Sequence, residues 1–268
     1  MKIHPSLHIG DRTAFQARFD ELFPVADSSA EVRSPCGRYT LELCRHTEYP
    51  EDMTQTTFLK KPGGIDYSSA VVRETEGGRV IAEVRRNHPL FWWEWIDHPN
   101  GNAYLLCAED VAGYSVINLT SGETSHYCPP GDELEGSFEW QRVFASPDRN
   151  RLAVAGKVLN EPDEERGWFV MLDFSEPDSP PFKELSRGRL NMDLAFEGAV
   201  FEKSDSIRWR DNDAFAYQNT ALYFADDGSP VDPAAPATET ENRPVRKRTE
   251  RVTLQPGQEP VIEDPSEQ

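Results

Sequence analysis

A short polar turn followed by an alternating apolar run recurs along this chain, and that recurrence restricts the fold to repeated small sheets. Ser34-Pro35-Cys36-Gly37-Arg38 precedes Tyr39-Thr40-Leu41-Glu42-Leu43. His98-Pro99-Asn100-Gly101-Asn102 precedes Ala103-Tyr104-Leu105-Leu106-Cys107, and Ser146-Pro147-Asp148-Arg149-Asn150 precedes Arg151-Leu152-Ala153-Val154-Ala155. A weaker fourth copy is Trp209-Arg210-Asp211-Asn212-Asp213 with Ala214-Phe215-Ala216-Tyr217. The copies begin at Ser34, His98, Ser146 and Trp209, 64, 48 and 63 residues apart. Irregular spacing around a constant turn is what a repeated sheet unit with variable connections produces.

A second strand and a second turn follow in each unit. Ala70–Arg73 comes before Glu76-Gly77-Gly78, Tyr114–Leu119 before Thr120-Ser121-Gly122, Trp168–Leu172 before Ser175–Asp178, and Ala221–Phe224 before Asp226-Asp227-Gly228. The second unit is the most apolar and holds three of the six tryptophans. In an extended strand Phe91, Trp93 and Trp95 share one face, while Trp92, Glu94 and Ile96 share the other. Both faces then need cover, which predicts a sheet packed between two neighbours. Laying His98 on Ser146 puts Trp92 at the position of Trp140.

Each unit thus offers about four strands. The pattern in Ser34–Leu43, His98–Glu123 and Ser146–Leu172 resembles the blades of WD40-like and related β-propellers, although the chain lacks the Trp-Asp and Gly-His pairs of the WD40 repeat. The resemblance spans roughly residues 32 to 224 and implies an all-β, propeller-like array of about four antiparallel sheet units. A β-sandwich is the alternative reading of the same strands.

Around this core the expected organisation has three parts. Residues 1–31 form an N-terminal segment whose apolar positions Phe15, Phe19, Leu22 and Phe23 predict an amphipathic helix between Asp11 and Phe23. Residues 32–228 form the β domain, in which Asn191–Phe196 is the other short helical candidate. Residues 229–268, interrupted by seven prolines after Gly228, read as a disordered tail with one alternating island, Arg251-Val252-Thr253-Leu254. The tail carries the basic run Arg243-Pro244-Val245-Arg246-Lys247-Arg248 and Arg251, read as lying back on the acidic protein.

Charge bounds the function. With 47 acidic against 28 basic residues and a net charge of -19, the surface lacks the positive field that nucleic-acid binding needs. No apolar run suits a signal peptide or membrane span, so the expectation is a soluble cytoplasmic protein. The four cysteines, Cys36, Cys44, Cys107 and Cys128, form no Cys-x-x-Cys pair and read as reduced, buried residues.

No nucleophile elbow, phosphate loop, zinc-binding helix or calcium loop is present, so neither a cofactor nor a metal is called for. Weak polar candidates remain. His46, Glu48, Glu51 and Asp52 have metal-compatible side chains in a polar loop. Asp97 and His98 place an acid beside an imidazole, although their position in a repeated turn favours a structural hydrogen bond. Glu161, Asp163, Glu164 and Glu165 form the most acidic loop between strands and suit a basic partner. Asn118-Leu119-Thr120 matches a glycosylation sequon and reads as an ordinary turn. The leading expectation is a non-catalytic protein-interaction module with an acidic surface. The alternatives are a hydrolase or lyase with a loop-built active site, or a small-ligand or glycan binder using tryptophan.

Overall fold

The computed structural model describes residues 12–48, 65–86, 88, 91–109, 113–129, 138–158, 166–193, 207–209, 211–212, 214–220, 247–253 and 261–263. Among the described residues one helix, α1 (Arg12–Leu22), precedes sixteen strands. The strands are β1 (Ser28–Arg33), β2 (Tyr39–Glu48), β3 (Ile65–Glu74), β4 (Val80–Arg86), β5 (Trp93–Asp97), β6 (Ala103–Ala108), β7 (Tyr114–Asn118), β8 (Thr124–Tyr127), β9 (Phe138–Ala145), β10 (Arg151–Val158), β11 (Arg166–Asp173), β12 (Glu184–Asp193), β13 (Ile207–Trp209), β14 (Ala214–Thr220), β15 (Lys247–Thr253) and β16 (Val261–Glu263).

They form four separate four-stranded sheets, each an antiparallel meander in chain order. This is the propeller-like array and not the pair of sheets that a sandwich requires. The repeat is visible in hydrogen bonds. The amide of Gly37 donates to Ser34 O at 2.9 Å, that of Gly101 to His98 O at 3.0 Å, and that of Arg149 to Ser146 O at 2.9 Å. Each donor residue has positive φ: 73°, 89° and 63°. Glycine takes this conformation without steric cost in the first two copies, whereas Arg149 takes it under strain. The Ser34 and Ser146 hydroxyls brace their turns by accepting from the amides of Tyr39 and Arg151, at 3.1 and 3.0 Å.

Period-two alternation builds the core. Phe91 and Trp93 pack with Leu41, Leu43, Val72 and Val84 of the first sheet, and Trp95 lies against that cluster. Trp92 and Ile96 pack the other way, with Trp140, Val143, Leu152 and Val154 of the third sheet. The second sheet is therefore apolar on both faces. Between it and the third sheet four rings make a ladder. Trp92 stacks on Trp140 (5.4 Å, 25°), Trp140 on Tyr114 (4.3 Å, 23°) and Tyr114 on Phe182 (5.4 Å, 16°).

The first sheet is apolar on one face only. Its register aligns Glu31 with Glu42, Val71 and Glu83, and Arg33 with Thr40 and Arg73, on the face turned away from the second sheet. This face is therefore charged and partly exposed where the opposite face is apolar. Helix α1 covers the rest of that face. Phe15 and Phe19 bury against Tyr67, with Leu22 and Phe23 alongside, and Asp20 pairs with Arg85 at 2.7 Å.

Four expectations are corrected. β15 and β16 lie within the stretch 229–268 read as a tail and complete the fourth sheet. Residues 251–253 of the alternating island fall in β15. The third strand of that sheet is β15; Ala221–Phe224, read as that strand, lie outside the described residues. Asn191–Asp193, read as part of a helical turn, extend β12 through pairing with β11. Among the cysteines, all free, Cys107 is buried but Cys36 is exposed, because the turn that carries it points to solvent.

Candidate functional site

Antiparallel meanders put their β1–β2-type and β3–β4-type hairpins at one end and all other connections at the opposite end. Cross-sheet contacts hold the hairpin ends together. Tyr39 Oη donates to Leu119 O at 3.2 Å, Trp209 Nε1 donates to Phe144 O at 3.0 Å, and Asn212 Oδ1 accepts from the Asp148 amide at 3.2 Å.

His98 belongs to this stitching. Its Nδ1 accepts from the Asn100 amide at 3.2 Å, which fixes the Nε2–H tautomer, and Nε2 donates to Phe174 O at 3.0 Å. Both nitrogens are committed and the ring is buried, so His98 is a staple between the second and third sheets. Asp97 is exposed at the end of β5. Nearby, Tyr104 Oη donates to Asp178 at 2.9 Å and accepts from the Asn100 amide group at 2.9 Å. Burial pushes the Tyr104 phenol above its ordinary value, and the Asp178 charge adds to the shift. Asn118, the sequon residue, is buried; its Oδ1 accepts from the Thr120 and Ser121 amides at 3.0 and 3.1 Å.

The titratable cluster lies at the opposite end. Ser115 of β7 and His126 of β8 are direct cross-strand partners, so their side chains share a face. Glu109, leaving β6, reaches them both. Its carboxylate is 2.7 Å from His126 Nδ1, Ser115 Oγ is 2.8 Å from the same nitrogen, and the Ser115 hydroxyl also donates to Glu109. Arg12 of α1 closes the group with a salt bridge to the other carboxylate oxygen. Burial opposes the charge on Glu109, but His126, Ser115 and Arg12 outweigh it and hold the carboxyl below its ordinary value.

These residue types invite comparison with a nucleophilic triad, which needs serine on one imidazole nitrogen and the acid on the other. Here serine and acid share Nδ1, and Ser115 is 0% exposed. The group therefore lacks the two-sided imidazole of a triad, and Ser115 is too buried to reach a substrate. What the group does achieve is to tie α1 to the second sheet. It also leaves an imidazole oriented by a carboxylate through Nδ1.

His46 was read from the sequence as a loop residue. It lies in β2, buried under α1, with Nε2 2.9 Å from Ser69 Oγ. Glu48 ends β2, while Glu51 and Asp52 lie outside the described residues, as do Glu161, Asp163, Glu164 and Glu165. The strand ends flanking that acidic run, Val158 and Arg166, are at the same end as Glu109. Of the basic run, Lys247, Arg248 and Arg251 fall in β15. Among the described residues no group of three or more His, Cys, Asp or Glu side chains is placed to hold a metal, and no helix is long and apolar enough to cross a membrane.

No family model matches the chain. It is 24% identical over 192 residues to "Uncharacterized protein R762" of Acanthamoeba polyphaga mimivirus, covering 71% of this chain and 67% of that protein. Among solved structures it is similar to Kuenenia stuttgartiensis hydrazine synthase, with a TM-score of 0.42 and 13% identity over 88% of this chain and 53% of that one. It is also similar to the Pyrococcus horikoshii acylaminoacyl peptidase, with a TM-score of 0.41 and 10% identity over 91% of this chain and 32% of that one. The chain thus spans about half of the first and a third of the second, and at these scores neither bears on activity. Its own sheet topology defines the class: an all-β, propeller-like protein of four tandem meanders with an N-terminal helix.

Proposed function

We propose that the protein is a non-catalytic interaction module whose acidic surface binds a basic protein partner. The observation that supports this reading is how its arginines are used. Arg12 faces Glu109, Arg18 faces Glu21, Arg79 faces Glu74, Arg85 faces Asp20 and Glu83, and Arg187 faces Glu184. Cations spent on the protein's own carboxylates leave the surplus of 47 acidic over 28 basic residues unopposed. Such a surface steers a positively charged partner and weakens as salt screens it, over a Debye length of ~8 Å at physiological ionic strength.

Affinity capture from lysate at low and high salt tests the reading, with a Glu164→Lys, Glu165→Lys variant alongside. Enriched proteins should be more basic than the lysate mean and should be lost at high salt. Enrichment that ignores both pI and salt would overturn it. The second reading, a hydrolase, is favoured by the carboxylate-oriented imidazole of His126. Turnover of a hydrolase substrate panel that disappears in His126→Ala would replace the first reading with this one.

A further inference from the structure

Helix α1 docks on the first sheet through a cage built around an imidazole. The His46 ring meets Phe19 at 5.0 Å and 82°, and Phe23 at 5.3 Å and 44°. Both phenylalanines also meet Tyr67, the cross-strand partner of His46, at 6.3 and 5.2 Å. Two rings of the cage therefore belong to or directly follow α1, and one belongs to the sheet.

We propose that α1 is an acid-releasable cap on the outer face of the first sheet, with His46 as the group that takes up the proton. With α1 docked, the cage replaces most of the water around the ring with aromatic carbon, so an imidazolium loses hydration that the ring faces only partly restore. Burial holds the His46 ring below its ordinary value; the Val25 backbone and Asp27 oppose the shift, Arg85 reinforces it, and Asp20 opposes it weakly. These groups, with the Ser69 hydroxyl on β3, are the polar and charged neighbours of the ring. Asp20 is already paired with Arg85 at 2.7 Å, so it is not a free counter-ion.

The sign follows from proton counting. With α1 released, His46 titrates near ~6.5; with α1 docked, it titrates lower. Between those values release takes up one proton, so the release constant grows by about tenfold per pH unit as pH falls. Above ~6.5 the dependence vanishes, and below the docked value it levels off. The other tether of α1 does not weaken in this window. Glu109 is held below its ordinary value and stays charged, so its salt bridge to Arg12 persists. Release uncovers Tyr67 and the outer face of β2 and β3, and frees the apolar side of α1. None of this depends on the partner proposed above.

Hydrogen exchange of the full chain between pH 7.5 and 5, corrected for intrinsic rates, reads the release. In the wild type, α1 amides should lose protection by up to about tenfold per pH unit below ~6.5, while β6 and β7 stay protected. In His46→Gln and His46→Phe the slope should be absent. The same slope in both variants, or none in the wild type, would overturn the proposal. Because a substitution in the cage can undock α1 at every pH, the wild-type His46 ring is also titrated by NMR. A midpoint below that of a free histidine supports the cap, and one at or above it overturns it.

Discussion

Trp140→Ala removes the ring at the centre of the aromatic ladder. Trp140 is 7% exposed and stacks with both Tyr114 and Trp92. Truncating a buried tryptophan to alanine costs about 3–5 kcal/mol, and two stacking partners, each adding about 0.5–1.5 kcal/mol beyond area, place this site in the upper half of that range. The second and third sheets would be left with a void between Trp92 and Tyr114. Urea unfolding followed by near-UV circular dichroism should give a lower midpoint at unchanged slope. A double-mutant cycle of Trp140→Ala with Trp92→Ala should return a coupling of about 0.5–1.5 kcal/mol. A cost below about 1 kcal/mol, or no coupling, would mean that the ladder does not hold these sheets together.

Glu109→Gln should cost roughly 2–3 kcal/mol, because Arg12, Ser115 and His126 lose the buried carboxylate that they share. Since its carboxyl is held low in the folded protein, this contribution is present above ~4.3 and is lost as pH falls through the folded value, so wild type and variant should converge in acid melts. Truncation after Gly228 removes β15 and β16 and leaves β14 paired only to β13, so the melting temperature should drop and exchange at β13 and β14 should rise; an unchanged melt would contradict the fourth sheet. Among the four free cysteines, Cys36 should react first with a thiol reagent. Burial opposes its ionisation, but the hydrogen bonds from Ser34 and Arg38 together outweigh it and hold the thiol below its ordinary value, and the side chain is exposed. Cys107, whose thiol burial pushes far up, should react only on unfolding.

The turns were readable because each demands a positive φ, and glycine at positions 37 and 101 answers that demand in the residue code. The double-sided second sheet was readable for a similar reason: Trp93 and Trp95 fill one face of the strand while Trp92 and Ile96 fill the other. The fourth sheet was harder. Its third strand is separated from the second by residues 221–246, and a connection of that length costs little more closure entropy than a short one. Composition averaged over the proline-bearing stretch concealed the strand within it. The Glu109 cluster was hidden for another reason. Ser115 and His126 meet only once the register about the Thr120-Ser121-Gly122 turn is known, and Arg12 arrives from 97 residues away. His98 was readable as a turn residue, and its bond to Phe174, 76 residues distant, required the packed sheets.

The ladder has an optical consequence. Two indoles with centroids 5.4 Å apart and planes 25° from parallel are close enough for their excited states to mix. Such a pair produces a bisignate couplet in circular dichroism that neither ring produces alone. Trp92 belongs to the second sheet and Trp140 to the third, so the couplet reports one interface only. Its amplitude would fall when those two sheets part, even if every strand remained paired within its own sheet. Far-ultraviolet dichroism of the unlabelled protein can therefore distinguish separation of sheets from loss of strands, and loss of the couplet in Trp92→Phe would assign it.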